Sequence, residues 1–448
     1  MIFNTIVRGI IGLFLILTIA FLFSNNKRKI NWRLVISGIS IQFIFAIFII
    51  HSEILRNWFK PLGWPKDAMN WMGGAVVNLL GYSLKGSEFV FGKLAVGTGP
   101  ESLGFFFAFQ VLPTIIFVST LSYVLYYLGI LQAVVKVMAF VMSKILGSSG
   151  AESLSNTANI FLGHTEAPLL VRPYISRMTN SELLTIMVGG MATISAGVMV
   201  GYVMMLGQAY STAFHQDLYA SQIKFAIHLL AGSVMAAPGS IVIAKIIYPE
   251  TSEPETKGSV KLDVEKNTSS VIEAAAAGAS DGLHLALNVA AMLISFIALI
   301  ALINYLLISF GYFTGLNTAL QANFGQPLSM QLIFGLLLKY IAIGIGVPSA
   351  DALSFGSLVG TKVVLNEFVA YVDLSNLIKS GLLSEKGIIM ATYALCGFAN
   401  FSSIAIQIGG IGPMAPNRRK DIAALGLRAV LGGSLATFMT ATLAGILL

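Results

Sequence analysis

Charge is scarce in this chain. Only 10% of its 448 residues are Asp, Glu, Lys or Arg, against about 25% in a soluble domain, which excludes an ordinary soluble enzyme. A single cysteine, Cys396, excludes a disulfide framework and any Cys-rich metal site. No zincin signature and no nucleophile elbow occurs, and Gly356, Gly360, Thr361 and Lys362 have neither the spacing nor the preceding strand of a phosphate loop. The basic excess, 27 − 20 = +7, is spread in short clusters and forms no continuous stripe for nucleic acid. What is abundant is apolar: 56% hydrophobic residues and a mean hydropathy of +0.82. These values predict a polytopic membrane protein, for which the bilayer span is the natural unit of length.

Apolar runs of spanning length lie near 6–23, 34–50, 105–128, 183–206, 223–247, 283–310, 387–410 and 422–448. They predict an all-α fold of about eight transmembrane helices. The first run is followed, not preceded, by its charges Lys27, Arg28 and Lys29, so it reads as a retained helix and not as a signal peptide. Lys and Arg are retained on the cytoplasmic side. The cluster Lys27, Arg28, Lys29 and Arg33 places the loop after the first span inside and both termini outside. Arg172 and Arg177, and then Arg418, Arg419 and Lys420, fall inside by the same count. The one hydrophilic stretch, 249–270, mixes signs and reads as a solvated cytoplasmic linker between halves.

Two segments break the pattern. An apolar stretch in 151–178 is interrupted at 163–168, and 351–374 is interrupted around Asn366 and Glu367. Neither half of either segment can cross ~30 Å of hydrocarbon, so both read as re-entrant hairpins. The two correspond. Ser149-Gly-Ala-Glu152 precedes the first and Pro348-Ser-Ala-Asp351 the second, and each reaches a lone glutamate at its interruption, Glu166 or Glu367. The next span carries Gly190-Met-Ala-Thr-Ile-Ser195 in one half and Gly397-Phe-Ala-Asn-Phe-Ser402 in the other. By span count the two units have opposite topology, the inverted-repeat construction of secondary transporters.

A carboxylate at mid-membrane costs about 2.5 to 3.5 kcal/mol on insertion scales, so Glu166 and Glu367 are the leading binding residues. Capping of exposed amides at a hairpin tip is the plainer reading of each. Thr193, Ser195, Asn400, Ser402 and Ser403 lie where the glycine-bearing helices are expected to unwind toward the midplane; close helix packing is their alternative role. Asn159 and Thr193 offer two neutral oxygen ligands of the kind a hard cation such as Na⁺ prefers. Cys396 reads as a small helical filler, and His51, His215 and His228 as residues near helix ends.

Four motifs resemble the concentrative nucleoside transporter family: Gly163-His-Thr-Glu-Ala-Pro168, Gly189-Gly-Met-Ala-Thr-Ile194, Asn366-Glu-Phe-Val-Ala-Tyr371 and Cys396-Gly-Phe-Ala-Asn-Phe-Ser-Ser403. The similarity runs from the first span to the C-terminus. It implies a homotrimer in a bacterial inner membrane, in lipid, in which a transport domain moves against a trimeric scaffold. The chain then divides into scaffold and interfacial helices (1–148), a first repeat (149–248), a linker with scaffold and interfacial helices (249–347), and a second repeat (348–448). The resemblance implies that Gly163, His164, Thr165 and Glu166, with Val198, face a nucleobase. By the same likeness Glu367, Asn400 and Ser403 hold ribose hydroxyls, with Phe398 beside the sugar. Sodium takes the side chains of Asn159 and Thr193 and the carbonyls of Leu162 and Ile194. His164 stands where many members carry Gln, and Thr193 where Ser is common. A neutral imidazole offers one donor and one acceptor in a tautomer-dependent way, so the base preference is open.

The expectation is a sodium-driven nucleoside symporter without a cofactor, working by an elevator motion. Proton coupling is the nearest alternative. An intramembrane enzyme using Glu166 and Glu367 as acid and base is the rival from another class, and a passive channel is a third.

Overall fold

The computed structural model describes residues 2–97, 103–257 and 269–448. Its regular secondary structure in these residues is helical. The principal helices are α1 (Ile2–Leu22), α2 (Trp32–Ile50), α3 (Trp64–Phe91), α4 (Leu112–Tyr127), α5 (Ile130–Leu146), α6 (Gly150–Ala158), α7 (Asn180–Ala192) and α8 (Ala196–Phe214). They continue as α9 (Leu218–Ile247), α10 (Val271–Phe313), α11 (Met330–Gly344), α12 (Ala352–Val364), α13 (Glu367–Lys379), α14 (Glu385–Leu395), α15 (Phe401–Ile411) and α16 (Arg419–Leu447). Hydrocarbon offers no partner for a free amide, and side chains supply one where helices begin. Asn31, Asp217, Ser270 and Ser384 each accept from the backbone at the starts of α2, α9, α10 and α14. Ser149 with Glu152 and Thr179 with Glu182 form reciprocal capping boxes at α6 and α7.

Among the described residues, six helical stretches are long and apolar enough to cross a bilayer: 32–50, 107–127, 180–214, 218–247, 271–313 and 416–447. The first apolar run is helical, with 6–22 a shorter apolar stretch. The apolar run over 387–410 forms two half-helices, α14 and α15, separated by non-helical residues 396–400, at the hexapeptide where the sequence predicts unwinding. Its amino-terminal counterpart is likewise split, α7 ending at Ala192 and α8 starting at Ala196. Cys396 therefore lies at a break, not inside a helix.

The two hairpins open at opposite ends of the molecule. At one end the Asn25 amide donates to Ile247 O (3.0 Å), Thr179 to Glu250 (2.8 Å), Gly150 N to Thr256 O (2.9 Å) and Arg418 to Asn180 (2.6 Å). These contacts gather the base of the first hairpin with the three basic clusters. At the other end Ser384 N donates to Asp351 (3.2 Å) and Lys386 to Gly445 O (2.5 Å), which joins the base of the second hairpin to the end of α16. The first hairpin is α6 and a short return at 167–175; the second is α12 and α13, broken at Leu365 and Asn366. Of the hydrophilic linker, residues 258–268 lie outside the described residues, while Thr256 docks on α6.

α9 and α16 form the buried centre, and small residues let them approach their neighbours closely. On α16, a Cβ at Gly432 would stand 2.7 Å from Val188, and one at Gly433 would stand 2.7 Å from Met191 and 3.1 Å from Ala399. One helix thus crosses both breaks. α10 is the reverse case and turns Ile294, Leu302 and Phe313 outward. All four tryptophans, Trp32, Trp58, Trp64 and Trp71, are exposed, as expected of interfacial aromatic anchors.

Candidate substrate and cation site

The breaks meet. A Cβ at Gly397 would lie 2.6 Å from Met191 O and 3.0 Å from Ala192 O, so glycine there lets the second break rest on the backbone of the first. Gly190 plays a related part, because a Cβ on it would stand 2.7 Å from His164 Cβ. The tip of the first hairpin is thereby seated on α7, and Thr165 is pressed against Gly410 of α15.

At that tip the Gly163 amide donates to Glu166 Oε2 (3.1 Å) and the Glu166 amide to Gly163 O (3.0 Å). Glu166 therefore caps its own turn. The His164 ring meets Phe398 edge to face at 4.9 Å between centroids, and its Nδ1 is buried without a partner. Val198 lines the first turn of α8 and is buried.

The tip of the second hairpin is formed by Asn366, which caps α13 by accepting from Val369 N (2.9 Å), and by Glu367. Glu367 is 6% exposed. It accepts from Asn400 Nδ2 (3.0 Å) and from the Tyr202 hydroxyl (3.4 Å). Asn400 Oδ1 accepts in turn from Ser403 N (2.9 Å) and Ser402 Oγ (2.7 Å), and so caps α15. Ser402 and Ser403, expected in the unwound segment, lie in the first turn of α15. Phe398, two residues before Asn400, links this cluster to His164.

Asn159 ends α6 with 0% exposure, and both its Oδ1 and its Nδ2 lack a partner. A buried primary amide with nothing to bond is costly, and a hard cation bound to its oxygen would relieve half of that cost. Thr193 stands in the α7–α8 break and donates to Gly189 O (2.9 Å), which leaves the oxygen lone pairs free to accept a cation. Leu162 and Ile194 are buried at the hairpin tip and at the break. The donor set is oxygen only, as Na⁺ prefers.

The structure brings His164, Phe398, Asn400, Ser403 and Glu367 into one chain of contacts. Glu166 and Glu367 stay on separate hydrogen-bond partners. Two neighbours of the site escaped the sequence reading, and so did the burial of one lysine outside it. Tyr202 lies one turn beyond Val198 on the same face of α8. Gln407 lies one turn beyond Ser403 and donates to Met187 O (2.9 Å). Lys362 is wholly buried on α12. Helical phase from the named residues points to the first two. His228, expected at a helix end, is inside α9 and bonds Tyr393 (3.1 Å).

Two hairpins from opposite ends, two broken helices crossing at glycines, and polar side chains buried where they meet define a polytopic membrane transporter, not an enzyme. Family descriptions match successive parts of the chain: the N-terminus of the Na⁺ dependent nucleoside transporters over residues 11–94, nucleoside recognition over 108–209, and the C-terminus of the Na⁺ dependent nucleoside transporters over 228–445. The nucleoside permease NupC of Helicobacter pylori is 38% identical over 451 residues, covering 100% of this chain and 98% of its own. CNTnw in an inward-facing substrate-bound state superposes with a TM-score of 0.83 at 38% identity, covering 99% of this chain and 98% of that one. A doubly substituted CNTnw in an outward-facing state gives 0.84 at 38% identity, with 99% and 97% covered. The chain belongs to the Na⁺-dependent nucleoside transporter family.

Proposed function

We propose that this protein is a symporter that imports nucleosides with Na⁺ across a bacterial inner membrane. The observation that carries the reading is the unpartnered, buried Asn159 amide at the end of α6, in a hairpin whose Phe161 carbonyl accepts from Ala196 N at the α7–α8 break (3.3 Å), together with the buried Glu367–Asn400 pair. The candidate cation site thus belongs to the first hairpin and the hydroxyl-recognising carboxylate to the tip of the second. The ribose hydroxyls displace the Tyr202 and Asn400 donors from Glu367 or bond beside them, and Ser403 adds a further polar group. His164, Gly163, Thr165 and Glu166, with Val198, face the base, and Phe398 packs against the sugar. Na⁺ is held by Asn159, Thr193 and the carbonyls of Leu162 and Ile194.

Na⁺ at Asn159 would satisfy that buried amide oxygen, and a ribose hydroxyl would bond the Glu367 carboxylate. One charge crossing about 100 mV contributes about 2.3 kcal/mol, and a tenfold ion gradient adds about 1.4. Together they support accumulation of several hundredfold. Residues 149–248 and 348–448 move as the transport domain against a scaffold made of 1–148 and 249–347. The existence of inward- and outward-facing states in CNTnw supports an elevator motion of this kind. In this reading the scaffold is trimeric, with termini outside and the basic clusters in the cytoplasm.

Uptake of radiolabelled uridine and adenosine into proteoliposomes, with inward Na⁺ and H⁺ gradients imposed separately, tests the proposal. Concentrative uptake under the Na⁺ gradient alone is expected. Uptake driven only by the H⁺ gradient would transfer the coupling to protons, and no concentrative uptake of any nucleoside would overturn the reading.

A further inference from the structure

A helix leaves its last four carbonyls without partners of its own, and in hydrocarbon each of them needs a donor from elsewhere. At the carboxyl end of α14, where the second break begins, all four have one. Tyr393 O accepts from Cys396 N (3.2 Å) and Leu395 O from Gly397 N (2.8 Å), both within the turn of the break itself. The second hairpin meets the other two. The Tyr371 hydroxyl donates to Thr392 O (2.8 Å), and Lys362 Nζ donates to Ala394 O (2.8 Å). Lys362 lies on α12, five residues before Glu367, and Tyr371 lies on α13, four residues after it. Both are 0% exposed. Each arm of the hairpin thus puts one donor into the same helix end, with the tip between them.

The contacts continue into the site. The Tyr371 ring stacks on Tyr202 at 4.1 Å between centroids, and the Tyr202 hydroxyl donates to Glu367 (3.4 Å). Lys362 also donates to Thr437 Oγ1 on α16 (3.2 Å), the helix whose Gly433 backs the same break. Just past the clasped carbonyls come Phe398 and Asn400, and Asn400 Nδ2 donates to Glu367 (3.0 Å). We infer that Lys362 and Tyr371 are positioning residues for nucleoside recognition: a two-point clamp of the second hairpin on the end of α14 that sets Glu367 against Asn400. Both act through that pair. A recognition geometry has to be held to about 0.5 Å by the groups behind it, and loss of either donor leaves a buried carbonyl unsatisfied and one arm of the hairpin unheld.

The inference rests on the proposed reading only in taking Glu367 and Asn400 as the ribose partners, so one measurement is made without ligand. Hydrogen–deuterium exchange in detergent is expected to rise about tenfold across residues 362–371 in Tyr371→Phe, which keeps the ring and loses the hydroxyl, and in Lys362→Met. Wild-type exchange in Tyr371→Phe overturns the clamp. The second measurement is the ratio of dissociation constants for a 2′,3′-dideoxynucleoside and its ribonucleoside, uridine or adenosine, by calorimetric titration. That ratio is expected to fall about tenfold in both variants, because the partners of the hydroxyls are misplaced while the base contacts stay. Donors that serve the fold alone lower the melting temperature and leave the ratio at its wild-type value, which overturns the positioning role. A wild type that does not discriminate between the two nucleosides refutes the ribose assignment instead, and the exchange result then decides the clamp.

Discussion

Gly397 rests on the carbonyl of Met191: a methyl group at 397 would stand 2.6 Å from that oxygen. The obstacle is backbone, and backbone at a helix break cannot swing aside as a side-chain tip can. Gly397→Ala is therefore expected to destabilise the protein by about 1–3 kcal/mol and to impair transport. Gly409→Ala, with open space around the added methyl, is the control. Thermal unfolding of the two variants in detergent checks this, and equal melting temperatures would show that the breaks do not bear on each other.

Glu367 binds its partners through a buried carboxylate, and each hydrogen bond to such a group contributes about 1.5–3 kcal/mol. Glu367→Gln is expected to weaken nucleoside binding by about 10- to 100-fold. Tyr202→Phe, which removes one long hydrogen bond, is expected to have a smaller effect. Calorimetric titration with uridine and adenosine measures both, and wild-type affinity in Glu367→Gln would remove that residue from the site.

His164 offers an edge-on ring to Phe398 and an unpartnered Nδ1. If the tip reads the base, His164→Gln reorders the affinities for purine and pyrimidine nucleosides, because an amide donates and accepts at once. Competition of a nucleoside panel against labelled uridine gives the ranking, and an unchanged order would place base recognition elsewhere.

The buried Asn159 amide has no hydrogen-bond partner within the protein. Sodium at about 100 times its Kd stabilises a one-site protein by about 2.7 kcal/mol. That increment is expected in the wild type and absent in Asn159→Leu. Melting curves in NaCl against choline chloride report it, and a persistent Na⁺ shift in the variant would move the cation site.

Lys245 joins Glu152 (2.8 Å) at the base of the first hairpin, with side chains 6% and 1% exposed. It also reaches Ser181 (3.0 Å) and Glu250 (3.3 Å). Lys245→Met leaves Glu152 buried and unpaired and is expected to cost about 3–5 kcal/mol. Chemical or thermal unfolding checks the loss, which substrate should not reverse.

Much of this was legible in the residues. Apolar runs and their charges gave the helices, two matching hexapeptides that each begin with glycine marked the breaks, and lone glutamates marked the hairpin tips. Those signals are local, because spacing and composition act within one helix. The reading failed where polarity had to be weighed against partners. Lys362 looked like part of a defective phosphate loop, yet its partners are Ala394 and Thr437, 32 and 75 residues away. Cys396 and His228 were misplaced for the same reason: a break or a buried bond depends on what packs alongside.

Residence in a bilayer, the kinship of the two halves and the positions that interrupt the helices all follow from the order of amino acids alone, since hydrocarbon thickness and helix chemistry constrain each segment separately. Packing in three dimensions settled the rest. It brings the two breaks together at Gly397. It gives the capping of the second hairpin tip to Asn366, which leaves the neighbouring Glu367 carboxylate to Asn400 and Tyr202, and it leaves Asn159 without a partner. Those outcomes depend on close approach between segments distant in the chain, which no local pattern encodes.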